Sequence, residues 1–294
     1  MPTITIFTPA YNRAHTLPRT YESMLRQSCK DFSWLIVDDG STDGTEELVK
    51  PWLSADNGFE IRYVRKENGG MHTAHNTAYE LIDTELNTCV DSDDALADDA
   101  VEQILAKWEA VRDKGYAGII ALDSAMEGNL IGTGFPEGLT ETTLTGYYAA
   151  GGRGDKKLIY RTDVIKQYPP YPVFEGEKYV SLSCTYVRID QDYLLSVLDR
   201  VVCLVEYQPD GHGRTMYREY VRSPRGFAYL RKLCMPIRSS KKELFTDCVH
   251  YVSSSIFIRN RNFLKESPKK LATVLAIPFG IAWNLYIRHK VKGA

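Results

Sequence analysis

The sequence lacks the signatures of several common protein classes. The turn after the first apolar run reads TPAYNRAH and has no glycine, so a G-x-G-x-x-G dinucleotide motif is absent there, and no P-loop occurs. The six cysteines form no C-x-x-C pair, which argues against a zinc site or a dithiol redox site. A formal net charge of −2 gives no overall attraction to nucleic acid. The N-terminus has no basic segment followed by a long apolar run, so we predict no signal peptide and a reducing, cytoplasmic setting.

The composition is that of an ordinary globular protein. Apolar residues make up 44% of the 294 residues and charged residues 25%. A chain of this length builds one large domain, or a domain with a C-terminal extension. The 19 tyrosines combine flat apolar faces with polar tips, which suits a cleft that binds sugars or bases.

The first 125 residues alternate between predicted strands and helices. Strands are predicted over 3–10, 32–40, 60–67, 86–91 and 117–123. Two of the intervening helices have predicted caps, namely Asp43 with Glu46 as a capping box and Asp98 or Asp99. Strand–helix alternation predicts right-handed crossovers and a mostly parallel sheet, so the fold class is α/β.

Polar residues follow the first four predicted strands, in the runs TPAYNR, DDGSTD, ENGG and DSDD. Ligands of open α/β sheets bind beyond the carboxyl ends of the strands, so we expect one shared cleft there. Asp93 with Asp91 or Asp94 could hold Mg²⁺ or Mn²⁺, because these cations prefer carboxylate oxygens and keep positions for substrate phosphates. The alternative is that DSDD is an acidic turn that starts the next helix.

Two other pairs of residues complete the predicted cleft. Asp38 and Asp39 can accept hydrogen bonds from a base or a ribose, and Arg13 and Arg65 can supply positive charge. Together with the DSDD run, these groups suit a nucleoside diphosphate.

Three segments resemble the family 2 glycosyltransferases of the GT-A fold. They are TPAYNRAHTLPRTYESMLRQSCKDFSWLIVDDGSTDGT, then NGGMHTAHN, and then VDSDD, which is similar to the D-x-D motif of that family. The resemblance implies a Rossmann-like, mostly parallel sheet flanked by helices. It also implies inverting transfer of a sugar from a nucleotide-sugar, usually a UDP-sugar, with Mn²⁺ or Mg²⁺ as the cofactor.

The resemblance also assigns residues to the donor and to the metal. The nucleotide and donor sugar are expected to contact Thr8, Pro9, Tyr11, Arg13, Asp38, Asp39, Asn68, His75, Asn76, Asp91 and Ser92. Asp93 is the expected metal ligand, together with Asp91. Met71 departs from the family, whose members often carry Lys there, so His72 or Arg65 is a candidate substitute for the lost charge. For His72 and His75, the alternative is a place on a helix surface.

The second half is expected to carry the acceptor side. After a glycine-rich stretch from about residue 126, KKLIYR predicts a strand and TDVIKQY a short helix. FEGEKYV lies where the family carries an E-D motif with the catalytic base, although Lys178 replaces the usual Asp. The resemblance therefore points to Glu177 as the base, with Glu175 second. The alternative is that both acids only start a helix over 178–189.

The C-terminal region is predicted to be helical. A strand and a loop occupy 201–215, and His212 lies where some GT-A enzymes supply a metal ligand. A basic segment follows, with Arg218, Arg222 and Arg225, which could close over the diphosphate or be a solvated face. The apolar segment 271–287 has basic residues on both sides, so we predict a peripheral membrane anchor; the alternative is packing on its own domain or in a homodimer.

The predicted organisation is a GT-A catalytic domain over 1–215 and a helical, membrane-associated extension over 216–294. Within the predicted catalytic domain, residues 1–125 are expected to bind the nucleotide-sugar donor and residues 126–215 to form the acceptor side. The predicted activity adds a sugar to a glycan or lipid-linked acceptor of cell-surface polysaccharide, at the inner face of the cell membrane. Two rival functions stay open: a non-catalytic nucleotide-sugar-binding protein, and a sugar nucleotidyltransferase, which the first loop disfavours.

Overall fold

The apolar runs of the first half form the strands of one mixed sheet. The computed structural model describes residues 2–206 and 212–292, except for the side chains of 212–215 and 292. The chain divides into two compact units, the first formed by Met1–Pro170 with Arg188–Gln208 and the second by Tyr171–Val187 with Pro209–Ala294. The predicted boundary after residue 215 stays a prediction.

Within the described residues the sheet has nine strands. They are β1 (Ile4–Ala10), β2 (Phe32–Asp38), β3 (Glu60–Arg65), β4 (Leu86–Cys89), β5 (Ala95–Leu96), β6 (Gly118–Ala125), β7 (Glu141–Thr142), β8 (Lys156–Arg161) and β9 (Leu195–Val205). The order is β3-β2-β1-β4-β8-β6-β9-β5, with β7 also paired to β9. The strands β1 to β4 are parallel, β8 is antiparallel to both of its neighbours, and β9 is parallel to β6. The carboxyl ends of β1, β2, β3, β4, β6 and β9 therefore share one edge, where the amino end of β8 also lies.

The helices of the described residues are as follows: α1 (Leu17–Arg26), α2 (Thr45–Val49), α3 (Met71–Leu81), α4 (Ala100–Glu109), α5 (Leu144–Ala149), α6 (Thr162–Ile165), α7 (Ser183–Asp192), α8 (His212–Arg222), α9 (Pro224–Cys234), α10 (Lys241–Phe257), α11 (Phe263–Glu266) and α12 (Lys270–Lys292). The short strands β5 and β7 were not expected from the sequence. The helix predicted over 178–189 lies at Ser183–Asp192, and the strand predicted from 201 already begins at Leu195.

The core of the first unit covers both faces of the sheet. Trp34 of β2 is fully buried and belongs to the cluster that includes Leu17 of α1 and Ile104 of α4. The neighbouring residue, Leu35, belongs to the opposite cluster, together with Ala74 of α3. Consecutive strand residues point to opposite faces, so the nearly continuous apolar runs of these strands reflect burial on both sides.

The predicted capping box of α2 is wrong, and the predicted cap of α4 is right in its position at Asp99 but makes no capping bond. The residue at the N-cap of α2 is Gly44, and Asp43 Oδ1 accepts a bond from Thr45 Oγ1 at 2.6 Å, while Glu46 pairs with Lys50 and Arg65. Asp99 occupies the N-cap of α4 but makes no side-chain cap bond. Asp98 pairs instead with Arg26 at 2.9 Å. Other bonds and ion pairs therefore engage the acidic side chains for which capping was predicted.

Candidate functional site

Hydrogen bonds join the loops that follow β1 and β2. Asn12 has a positive φ of 54°, which turns its amide N–H toward Ser41 Oγ at 2.9 Å. Its side-chain oxygen accepts the N–H of Thr42 at 2.8 Å. The amide of Ala14 donates to Asp43 Oδ2 at 2.9 Å. TPAYNR and DDGSTD, which lie 30 residues apart in the sequence, therefore form one surface.

The predicted nucleotide residues of the first loop differ in their exposure. Thr8 is fully buried, and its hydroxyl accepts a bond from Trp34 Nε1 at 2.9 Å. Pro9 is buried, Arg13 is half-buried, and Tyr11 is 48% exposed. The hydroxyl of Thr8 is thus engaged by a side chain of the core, while the ring of Tyr11 is accessible to a ligand.

Asp38 and Asp39, at the end of β2, are both buried. Asp38 accepts the N–H of Ser41 at 2.7 Å and the hydroxyl of Tyr63. Burial and the bond to Asp38 raise the pKa of the Tyr63 phenol above its ordinary value. Asp38 therefore fixes the turn after β2 and ties it to β3.

The carboxylate of Asp39 is saturated by donors from the loop after β3. It accepts bonds from Lys66 Nζ at 2.6 Å, Asn68 Nδ2 at 3.1 Å, the amides of Gly69 at 2.9 Å and Gly70 at 2.7 Å, and Thr73 Oγ1 at 3.5 Å. Gly70 has a φ of 95°, a conformation that glycine adopts readily. The NGG run thus lets two backbone N–H groups reach one carboxylate, and the predicted base or ribose contact of Asp39 would compete with these bonds.

The two histidines of α3 are buried, so the alternative of a helix-surface location is wrong. His72 is 1% exposed, and neither of its ring nitrogens has a hydrogen-bond partner among the described residues. Burial lowers the pKa of His72 to about 4, although Asp39 opposes this shift. Burial therefore disfavours the charged form of His72, and its suggested role as a positive substitute for lysine at position 71 stays a prediction. Arg65, the other suggested substitute, binds Glu46 at 2.9 Å.

His75 and Asn76 follow on the same helix. His75 is fully buried, its Nδ1 lies 3.1 Å from the carbonyl oxygen of Met71, and its ring packs edge-on against Phe7. Burial lowers the pKa of His75 to about 4. Asn76 is half-buried. The predicted donor contacts of His75 and Asn76 stay predictions.

The DSDD turn after β4 is held from two sides. Arg19 of α1 donates to the carbonyl of Asp93 and pairs with Glu206 at 2.7 Å. The amide of Glu206, just after β9, donates to Asp94 Oδ1 at 3.2 Å. Ser92 is 5% exposed. The backbone of the turn is thus fixed by α1 and by the residue that follows β9.

Asp91 lies close enough to Asp93 and Asp94 to raise the pKa of both carboxyls. Burial raises the pKa of Asp93, and nearby Asp91 raises it further, while Arg13 and Arg19 oppose the shift. Burial raises the pKa of Asp94 to about 8. A cation beside Asp91 and Asp93 would relieve this repulsion.

The donor set fits a divalent metal that a substrate helps to bind. Among the side chains that the structure describes, no group of three or more His, Cys, Asp or Glu residues could hold a metal ion. Mg²⁺ commonly binds through one or two carboxylates and takes its other ligands from phosphates and water. Asp91 and Asp93 suit that mode. The side chain of His212 lies outside the described residues.

Sequence reasoning missed five residues that lie around the predicted site. They are Arg19, Lys66, Asp123, Lys157 and Glu206. Only Asp123 had a signal in the sequence, because it ends a predicted strand as Asp38 and Asp91 do. Arg19 lies in α1, Lys157 lies in β8, and Lys66 and Glu206 directly follow β3 and β9; the partners of all four are distant in the chain.

The predicted catalytic acids lie in the second unit. Glu177 is 9% exposed, and its two oxygens accept the amides of Arg225 and Gly226, both at 3.0 Å, at the start of α9. Glu177 therefore caps α9, which is a structural role that the sequence did not suggest. Glu175 is exposed, and its carbonyl accepts a bond from Arg225.

Comparison with known proteins gives the family. The profile described as "Glycosyl transferase family 2" matches residues 5–168. Chondroitin synthase of Escherichia coli is 34% identical over 137 residues, which is 46% of this chain and 19% of that protein. TuaG of Bacillus subtilis, a teichuronic acid biosynthesis glycosyltransferase described as putative, is 34% identical over 104 residues, 35% of this chain and 41% of that protein. The matched segment thus spans less than half of each relative.

Solved structures support the fold. S. aureus TarS 1–349 in complex with UDP-GlcNAc aligns with a TM-score of 0.61 at 16% identity, over 100% of this chain and 92% of that chain. The Pyrobaculum calidifontis mannosyltransferase PcManGT, in complex with GDP-Man and Mn²⁺, aligns at 0.55 and 19% identity, over 96% and 73%. The predicted GT-A fold is confirmed. The joined loops of β1 and β2 and the DSDD turn after β4 all lie within the matched residues. Because the family profile covers more than half of the sequence, the chain belongs to glycosyl transferase family 2.

Proposed function

We propose that this protein transfers a sugar from a UDP-sugar to a glycan or lipid-linked acceptor of cell-surface polysaccharide, with inversion at the anomeric carbon. The observation that carries the proposal is the DSDD turn. Asp91 and Asp93 repel each other there, on the edge that also carries the loops of Asn12 and Asp39. The relatives support the substrate class, since they include proteins named chondroitin synthase and hyaluronan synthase.

The proposed chemistry is a single displacement. The acceptor oxygen forms a bond to the anomeric carbon as the bond to the diphosphate oxygen breaks and its electron pair leaves with UDP. A carboxylate takes the acceptor hydroxyl proton. Mn²⁺ or Mg²⁺, bound through Asp93 and Asp91, would supply charge stabilisation to the leaving diphosphate.

Two carboxylates compete for the role of base. Both oxygens of Glu177 are engaged by backbone amides of α9, whereas the carboxylate of Glu175 is exposed. Glu175→Gln and Glu177→Gln separate them. Loss of turnover with unchanged UDP affinity and unchanged Tm identifies the base, whereas a lowered Tm for Glu177→Gln alone identifies a cap.

The proposed membrane contact rests on α12. Among the described residues, this is the helix that is long and apolar enough to cross a membrane, with a mean hydropathy of 1.4 over its best window. One face packs on α10, where a Cβ on Gly280 would lie 2.5 Å from Val252 Cβ. The other face exposes Leu271 by 76% and Leu275 by 61%. The helix α10, on which α12 packs, carries the buried acid Asp247, which would be costly inside a bilayer. We therefore propose that α12 lies along the membrane surface and does not cross it.

Vesicle sedimentation tests the membrane contact. Leu275→Glu should release the protein from vesicles that contain phosphatidylglycerol, because it places a charge in the apolar face. Leu53→Glu is the matched control, since Leu53 is an exposed leucine of the first unit, at 44% exposure. Equal binding of both variants would refute the contact. Dissociation of a dimer by Leu275→Glu would instead favour a homodimer interface.

One assay separates the proposed activity from its two rivals. The full chain is incubated with a panel of UDP-sugars and Mn²⁺, and the released UDP is measured. UDP release that Asp93→Asn abolishes supports the transferase. UDP-sugar binding without turnover supports the non-catalytic protein, and pyrophosphate-dependent chemistry supports the nucleotidyltransferase.

A further inference from the structure

A lysine and an aspartate that no sequence motif includes lie beside the DSDD turn. The strand β8 runs antiparallel between β4 and β6, so its amino end and the carboxyl end of β6 lie at the edge that carries this turn. Lys157, the second residue of β8, pairs in register with Ala121 of β6. Asp123 stands two residues further along β6.

The ammonium group of Lys157 is tied to the strand that ends in the DSDD turn. Its Nζ donates to the carbonyl of Cys89, the last residue of β4, at 3.1 Å. Burial lowers the pKa of Lys157, but its neighbours outweigh burial and raise the pKa well above its ordinary value. These neighbours are Cys203, Asp123, Asp94 and Asp91. The lysine thus lies among three carboxylates, two of which belong to the turn.

Asp123 supplies the second observation. It is only 3% exposed, and its Oδ1 has no hydrogen-bond partner among the described residues. A buried carboxylate oxygen without a donor is costly unless a cation is close. Lys156, the other lysine of this strand, donates to the carbonyls of Ile131 and Arg153. Burial raises the pKa of Asp123 to about 6, and of the neighbouring charges Lys157 opposes this shift most.

We propose that Lys157 is a positioning residue of the transferase: bonded to the last carbonyl of β4 and close to Asp123, it is the internal counter-ion that keeps the DSDD turn in the shape required for a nucleoside diphosphate and its cation. The inference rests on the proposed function. Lys157 need not touch the donor, since it acts through the backbone of Cys89 and the charges of Asp91 and Asp94.

A charge-balance experiment tests the role. Lys157→Met, Lys157→Arg, Asp123→Asn and the double variant Lys157→Met/Asp123→Asn are compared for UDP affinity in Mn²⁺ by calorimetry, and for Tm. We expect Lys157→Met to weaken UDP binding by about 10- to 100-fold, because it leaves buried carboxylates unpaired. The double variant should recover about tenfold of that loss, because it removes the charge and its counter-charge together. Lys157→Arg should bind UDP more tightly than Lys157→Met.

The matched control is Lys156→Met, which removes a buried lysine from the same strand. It should lower Tm and leave UDP affinity unchanged. The proposal is overturned if folded Lys157→Met binds UDP like the wild type, if Lys156→Met weakens binding equally, or if the double variant recovers nothing. If the wild type itself binds no UDP in Mn²⁺, the proposed function fails first, and the role of Lys157 fails with it.

Discussion

The carboxylates that end β2 and β4 lie on the same edge of the sheet but in opposite electrostatic states. Asp39 accepts hydrogen bonds from Lys66, two backbone amides and two further side chains, so its charge is balanced within the protein. No other described residue donates a hydrogen bond to the carboxylate of Asp93, whose pKa burial and Asp91 raise. A satisfied carboxylate stabilises the fold, whereas two carboxylates that repel each other suit a cation that binds together with the substrate.

The largest expected effect comes from removing the charge of Asp39, whose hydrogen bonds are satisfied within the protein. Asp39→Asn should lower the free energy of unfolding by about 3–5 kcal/mol, because the ammonium of Lys66 stays behind without its partner. Urea denaturation followed by circular dichroism measures the loss. The double variant Lys66→Met/Asp39→Asn is the control, and it should be more stable than Asp39→Asn. If Asp39→Asn unfolds at the wild-type urea concentration, the structural role of this carboxylate is wrong.

Removing the charge of Asp93 should have the opposite result, with a loss of turnover and no loss of stability. Asp93→Asn should lower UDP-sugar turnover in Mn²⁺ by about 100-fold, as loss of a charge-stabilising group does. Its free energy of unfolding should stay within about 0.5 kcal/mol of the wild type or rise, because a repulsive charge is removed. Turnover assays and urea denaturation on the same preparation check both parts. A large loss of stability would contradict the distinction between the two carboxylates.

The histidine beside Asp39 predicts a pH effect. Burial lowers the pKa of His72 to about 4 in the folded protein, below the ordinary value of 6.5 that applies to the unfolded chain, so the unfolded chain binds the proton first as the pH falls. The stability that neutral His72 gives the folded protein is therefore fully present above pH 6.5 and is lost as the pH falls toward 4. We expect His72→Phe to reduce the loss of stability between pH 7 and pH 4.5 by about 2 kcal/mol. Equal pH slopes for His72→Phe and wild type, from urea denaturation across this range, would contradict the prediction.

The smallest effect concerns the clamp on the DSDD turn. The Arg19–Glu206 pair is partly exposed, with side chains 33% and 46% accessible, so solvent screens it. Glu206→Gln should therefore change the free energy of unfolding by less than about 1 kcal/mol. Because the amide of Glu206 still reaches Asp94, UDP affinity should change little. A large loss of UDP affinity, measured by calorimetry, would show that the side chain itself orders the turn.

The shared edge could be predicted from the sequence, while most partners of its side chains could not. The apolar runs that end at Asp38 and Asp91 predict where two strands end, and strand–helix alternation predicts that those ends lie on the same edge of the sheet. The donors to Asp39 come 27 to 34 residues later in the chain. Their meeting depends on the path of the NGG loop, which periodicity does not describe.

Strand direction explains another omission. The pattern KKLIYR predicts a strand but carries no information about its orientation in the sheet. Only the antiparallel insertion of β8 brings Lys157 to the acidic edge. The capping of α9 by Glu177 could not be predicted for a related reason, because its partners Arg225 and Gly226 lie 48 and 49 residues away in the sequence.

The doubled lysine at the start of β8 has a consequence for mutational tolerance. Lys156 and Lys157 point to opposite faces of the strand, as consecutive strand residues do. A register slip of one residue normally exchanges every inward side chain for an outward one. Here a slip in one of the two directions would place the ammonium of Lys156 where that of Lys157 now lies. A single-residue insertion in the loop before β8 that caused this slip would therefore still leave a lysine beside the acidic turn, although the other side chains of β8 would exchange faces.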